Sequence, residues 1–142
     1  MGGVAKLVVV SDATGVLAEV GAVVDDGDNE IVEVRSGGAV RAVVHADPPD
    51  LVITDCQVQS MGGIAVALDL KLEESGGRLP HVPVLILLDR RADVFLAKRS
   101  AAEGYLVKPL DPIRIRRAVA ALLDGGTYYD DSYKPLSIAA TE

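Results

Sequence analysis

Asp12, Asp55 and Lys108 each stand at the end of a short aliphatic run: Leu7–Val10, Leu51–Thr54 and Tyr105–Val107. Two close carboxylates repel, and both stay ionised comfortably only when a cation joins them. Carboxylates with a backbone carbonyl and waters suit Mg²⁺, which takes few protein ligands and keeps part of its water shell. A carboxylate beside Mg²⁺ and a lysine can attack a phosphoryl group to give an acyl phosphate. The metal and the ammonium would neutralise charge on the transferring oxygens. Acids and lysines are also common in solvated loops, so what matters is whether the chain folds these three into one place.

The elements around them alternate. Leu7–Val10 reads as a buried strand ending at Ser11-Asp12, and Thr14–Val24 has helical spacing until Asp25-Asp26-Gly27-Asp28-Asn29 breaks it. Ile31, Val32 and Val34 make a second strand, and a helix over about 39–46 is stopped by Asp47-Pro48-Pro49-Asp50. Leu51–Thr54 is a third strand that delivers Asp55. Ile64, Leu68 and Leu72 give the next helix an apolar face, closed by Gly76-Gly77. Val84–Leu88 is a fourth strand, followed by a helix over about 92–102, a short strand at Tyr105–Val107 and a last helix marked by Ile115, Val119 and Leu122.

Strands that are apolar nearly end to end and alternate with helices predict an α/β domain, with a parallel sheet covered on both faces. Right-handed crossovers leave few strand orders, and 2-1-3-4-5, a doubly wound flavodoxin-like arrangement, is expected for five. Ligands bind such sheets beyond the carboxyl ends of the strands. In this order the first and third strands are neighbours, so Asp12 and Asp55 meet and Lys108 reaches across from the fifth.

Composition narrows the function. The 142 residues carry 14 Lys plus Arg against 21 Asp plus Glu, a formal charge of −7 that argues against a polyanion-coating protein. One cysteine, Cys56, excludes an internal disulfide and a multi-cysteine zinc site. No apolar run approaches the roughly 20 residues of a membrane span. The N-terminus lacks the features of a cleaved signal, and Lys6 stands where myristoylation wants Ser or Thr. A cytoplasmic protein is expected, binding neither nucleic acid nor membrane.

The blocks Pro49-Asp50-Leu51-Val52-Ile53-Thr54-Asp55, Met61-Gly62-Gly63, Pro83-Val84-Leu85-Ile86 and Gly104-Tyr105-Leu106-Val107-Lys108-Pro109-Leu110 resemble the receiver domains of two-component response regulators, over about residues 4–124. The resemblance implies Asp55 as phosphoacceptor, with Mg²⁺ held by Asp12, Asp55 and the backbone carbonyl of Gln57. It implies that Lys108 pairs with the phosphoryl group, that the Lys108-Pro109 bond is cis, and that Tyr105 is the aromatic switch position. The implied partner is a histidine kinase or phosphotransfer protein.

The sequence departs from that family at telling places. Ser11 replaces the first of two acids after strand one, and Gln59 replaces a proline common after the phosphoacceptor. Receivers end strand four with Ser or Thr, whose hydroxyl bonds the phosphoryl oxygen; here the other switch position is Leu88, and no hydroxyl occurs from Val82 to Arg99. The next residue, usually small, is Asp89, which would repel an incoming phosphoryl group if it faces the site.

Other readings are weaker. Ser11-Asp12-Ala13-Thr14-Gly15 is similar to the phosphate loop of FMN-binding flavodoxins, but a helix cap at Ser11, Asp12 or Thr14 is the simpler expectation. The domain also has few aromatics to stack a flavin. The same loop echoes haloacid-dehalogenase-type phosphatases, whose second acidic motif would be Asp25–Asp28; those acids face the amino end of the sheet and read as a solvated turn. Cys56 reads as packing, and His45 and His81 as loop or helix-end residues without partners.

From Asp89 to Arg117 the chain is +4 and the remainder −11. This stretch, with Arg90, Arg91, Lys98, Arg99, Arg114 and Arg117, covers the fourth helix, fifth strand and fifth helix, the partner-docking face of receivers. It is either a solvated surface or the seat of an acidic protein partner. Residues 125–142 follow the 1–124 domain as a tail, flexible or docked, in which Tyr128, Tyr129 and Tyr133 could anchor to this or a second copy; a homodimer is one outcome. The expectation is a single-domain atypical receiver, not an enzyme, with protein–protein output. Either Asp55 is phosphorylated and the surface near Tyr105 responds, or the domain is a phosphorylation-independent docking module. Loss of the hydroxyl at Leu88 leans towards the second; Asp12, Asp55 and Lys108 keep the first.

Overall fold

A computed structural model describes residues 5–25 and 27–132. β1 (Lys6–Val10), α1 (Thr14–Val24), β2 (Glu30–Val34), α2 (Val40–Ala46), β3 (Leu51–Asp55), α3 (Gly63–Ser75), β4 (Val84–Leu88), α4 (Val94–Arg99), β5 (Gly104–Val107), α5 (Pro112–Leu123) and β6 (Tyr128–Tyr129) follow in order. One 3₁₀ turn (Gly37–Ala39) leads into α2 and another (Arg91–Asp93) into α4, which leaves α4 shorter than its sequence pattern suggests.

All the strands are parallel, in the order β2-β1-β3-β4-β5-β6. The expected 2-1-3-4-5 core is present, extended by one strand. Alternation along β1 divides the interior: Leu7 and Val9 face α1 and α5, while Val8 and Val10 face α2, α3 and α4. β3, β4 and β5 are buried along their whole length, as a sheet covered on both faces requires. α5 begins where Pro112 presets the first turn and the Asp111 side chain accepts the Arg114 backbone N–H at 2.9 Å.

The face of α3 differs from the sequence expectation. Val66, Ala67 and Leu70 are buried, whereas Leu68 is 45% and Leu72 66% exposed. α3 carries two apolar stripes at helical spacing, and the sheet takes the one that continues from Gly63. Among the described residues no helix is long and apolar enough to cross a membrane.

The tail docks in part. Tyr128 and Tyr129 pair with Gly104 and Tyr105, and Tyr129 lies on the Tyr105 ring with centroids 5.5 Å apart. Tyr133 lies outside the described residues.

Candidate functional site

Parallel strands bring their carboxyl ends to one edge, and Asp55 closes β3 there, almost fully buried. Its two oxygens have different partners. Oδ2 accepts the Ser11 hydroxyl at 2.9 Å, and Oδ1 accepts the Lys108 ammonium at 2.7 Å. Ser11, also buried, accepts the Ala13 backbone N–H at 3.0 Å. The expected helix cap is therefore absent: α1 starts after Ala13 with no side-chain cap, because Ser11 is committed to Asp55 and Asp12 to another loop. Asp12 is exposed, and its Oδ2 accepts the Gln59 backbone N–H at 2.8 Å, tying the loop after β1 to the loop after β3.

Lys108 follows β5. Its backbone N–H is held by the Leu88 carbonyl at 2.9 Å, and its bond to Pro109 is cis, as the resemblance implied. Its ammonium meets a second carboxylate, Asp89 Oδ1, at 2.8 Å. Asp89 thus faces the site. Burial works to lower the Lys108 pKa, but the hydrogen bonds and charges of Asp55 and Asp89 outweigh it and hold the group above its ordinary value.

Backbone packing fixes the floor of the site. A side chain on Gly63, the first residue of α3, would lie 2.6 Å from the Asp55 carbonyl oxygen, so only glycine lets α3 approach so closely. Beside the site, Cys56, Val58, Ile64, Leu68, Arg90 and Leu96 line a cleft of about 540 Å³ between α3 and α4. Burial, reinforced by Asp93, Asp89 and Asp55, pushes the Cys56 thiol up to about 11, which suits the packing role expected of it.

The oxygen chemistry fits a divalent cation, though sparingly. Asp12 offers an exposed carboxylate, Asp55 a buried one, and Gln57 is exposed in the loop after β3. Each carboxylate oxygen can take a contact beyond the one it makes. Ser11 donates a proton where a third carboxylate would donate electrons, and among the described residues no group of three or more His, Cys, Asp or Glu is placed to hold a metal ion.

A lysine and a buried aspartate paired at the carboxyl edge of this sheet accompany a match to the response regulator receiver domain model over residues 7–120. The chain belongs to the receiver family. It is 23% identical over 121 residues to protein PilH of Pseudomonas aeruginosa, covering 85% of this chain and 99% of PilH. It is 36% identical over 96 residues to an uncharacterized response regulatory protein of Mycobacterium tuberculosis, covering 68% of this chain and 69% of that protein. Other curated regulators it matches are longer, and the chain spans 55% of one and 20% of another. The receiver domain of sensor histidine kinase PA1611 from P. aeruginosa, solved with magnesium in its active-site cleft, superimposes with a TM-score of 0.74 at 18% identity, covering 87% of this chain and 99% of that one.

The two positions that the resemblance matched to the receiver switch lie in apolar surroundings. Leu88 is fully buried, and Tyr105, 3% exposed, belongs to the same apolar cluster. Arg91, Lys98, Arg99 and Arg117 are exposed as expected, with Arg99 over the Phe95 ring. Arg90 is exposed but pairs with Asp93. Arg114 must be removed from the docking face: its guanidinium turns inward to Asp111, Asp130, the Val107 carbonyl and the Pro109 carbonyl. β6 also covers the β5 edge, which the expected docking face would include.

Two histidines need correction as well. His81 Nδ1 lies 2.9 Å from Glu74 and Nε2 3.3 Å from Glu103, while His45 lies 3.5 Å from Glu73, so both have acidic neighbours. The site residue that sequence reasoning missed is Asp130, a buried acid directly after a Tyr-Tyr pair. An acid following two strand-forming aromatics was the available signal.

Proposed function

We propose that this receiver takes a phosphoryl group on Asp55 and acts through protein–protein contact rather than through catalysis. The observation that supports it is the 2.7 Å contact between Asp55 Oδ1 and Lys108 Nζ, which gives a buried nucleophilic carboxylate a cation for the transferred charge. An Asp55 oxygen attacks phosphorus as the bond to the donor group breaks, and Lys108 remains beside the new acyl phosphate. The donor is a histidine kinase or phosphotransfer protein. Mg²⁺ would be held by Asp12, Asp55 and the Gln57 carbonyl, and when bound it supplies further charge neutralisation to the phosphoryl oxygens. Asp12 must then share its carboxylate between the metal and the Gln59 N–H, and Ser11 adds no negative charge, so binding should be weak.

A second reading has its own support. Leu88 offers no hydroxyl, Tyr105 is covered by Tyr129, and Asp89 already occupies Lys108, all of which suit a docking module that does not switch. For either reading we propose an acidic partner on the exposed bases Arg91, Lys98, Arg99 and Arg117, with binding that weakens as salt is added. Acetyl phosphate with Mg²⁺, followed by intact mass, separates the readings. Stoichiometric phosphorylation lost in Asp55→Asn supports the first; an unmodified chain under conditions that modify an ordinary receiver leaves the second.

A further inference from the structure

The segment after α5 and Arg114 of α5 together grip the backbone on both sides of Lys108. Asp130 Oδ2 accepts the Val107 N–H at 2.8 Å, and Arg114 donates to the Val107 carbonyl at 3.2 Å and to the Pro109 carbonyl. Asp130 and Arg114 are joined to each other by a direct ion pair. The remaining contacts hold Asp130 in turn. Its backbone N–H donates to the Tyr105 carbonyl at 3.2 Å, its Oδ1 accepts the Ser132 N–H at 2.9 Å, and Tyr129 rests on Tyr105. Asp130 is only 3% exposed, so losing the Arg114 cation strands a carboxylate in a dry place, whereas Arg114 keeps Asp111 when Asp130 is neutralised.

We propose that Asp130 and Arg114 are positioning residues for Lys108, so that docking of segment 128–132 sets how firmly the ammonium is held at Asp55. The clamp holds the Val107 N–H and the Val107 and Pro109 carbonyls, on the residues either side of Lys108, while the ammonium itself makes contacts of 2.7 and 2.8 Å that a displacement of about 1 Å would break. The tail is then a control element: a partner or modification that lifts it off β5 frees the lysine. Gly104 permits the arrangement, since a side chain there would lie 2.7 Å from the Tyr128 carbonyl oxygen.

This consequence rests on Asp55 as phosphoacceptor, whereas the clamp itself can be measured without phosphate. Trace acetylation with acetic anhydride, read by peptide mass spectrometry in the full chain, reports Lys108 against exposed Lys98 and against Lys6, which is paired with Asp47. Asp130→Asn and Arg114→Gln should raise Lys108 labelling several-fold with Lys6 unchanged, Tyr129→Ala should do so more weakly, and Asp131→Asn should do nothing. Wild-type Lys108 labelling in Asp130→Asn and Arg114→Gln overturns the proposal. So does a parallel rise at Lys6 in all three clamp variants, which marks the segment as a general stabiliser. Beryllofluoride uptake by the same proteins separates the two readings: increased Lys108 labelling with no uptake by wild type keeps the clamp and removes the phosphoacceptor.

Discussion

Asp89 holds the Lys108 ammonium at 2.8 Å while the same nitrogen holds Asp55 at 2.7 Å, so two carboxylates share one cation. An incoming phosphoryl group meets a lysine already half committed elsewhere. Asp89→Asn should therefore speed phosphoryl uptake from acetyl phosphate. Asp89 is more than a third exposed, so solvent screening limits the effect to about 1 kcal/mol, or roughly fivefold. Unchanged uptake, measured by intact mass against time, would show that Asp89 does not compete for the lysine.

Ser11→Asp restores a second acid after β1 and places it against a buried carboxylate. Without metal the variant should lose about 1–3 kcal/mol from repulsion, in urea unfolding with EDTA present. Mg²⁺ should return most of that by binding the folded state, while the wild type responds little. A variant whose midpoint ignores Mg²⁺ would show that this edge does not form a metal site.

Leu88→Thr puts a hydroxyl where the receiver pattern has one. Lost packing and a newly buried polar group should cost about 1–3 kcal/mol. The same hydroxyl should tighten beryllofluoride binding, followed by ¹⁹F NMR, because it can donate to the anion. A variant destabilised without tighter binding would mean that the side chain at 88 does not reach the site.

Cys56 should be a slow nucleophile. With its pKa near 11, on the order of one thiol in several thousand is ionised at pH 7.5. Its reaction with iodoacetamide should be roughly a hundredfold slower than that of a free cysteine, and fast once urea unfolds the chain. Rapid labelling of the folded protein would contradict this burial.

Asp130 sets an acid limit on the docked tail. Burial alone would raise its pKa, yet the Val107 and Ser132 hydrogen bonds and the Arg114 charge hold it below the usual carboxylate range. A pKa depressed by folding stabilises fully above the unfolded value, about 4, and that contribution is lost as pH falls through the folded value. Below about pH 4 the Val107 amide should lose its protection from hydrogen exchange. Asp130→Asn should remove this step from the pH profile; a step that persists would assign it to another acid.

The fold was legible because strands buried on both faces must be apolar throughout, and that pattern alone delivers Asp12, Asp55 and Lys108 to one edge. Ser11 was harder. A serine before a helix reads as a cap, and only the register of β1 against β3 places its hydroxyl on Asp55. α3 misled because Leu68 and Leu72 repeat as regularly as Val66 and Leu70, and periodicity does not say which stripe the sheet will cover. Arg114 sat among basic residues in sequence; its inward turn depends on Asp130, sixteen positions later, whose place is set by tertiary pairing.

The sixth strand also alters how the molecule meets its own copies. An exposed, apolar β5 would present unpaired backbone groups ready to template another chain. Instead the Glu103 and Tyr105 carbonyls and the Val107 amide are engaged by Tyr128 and Asp130, and the strand at this edge is two residues long. So short a border offers little for a foreign strand to extend, and the tail that restrains Lys108 also serves as a guard against aggregation.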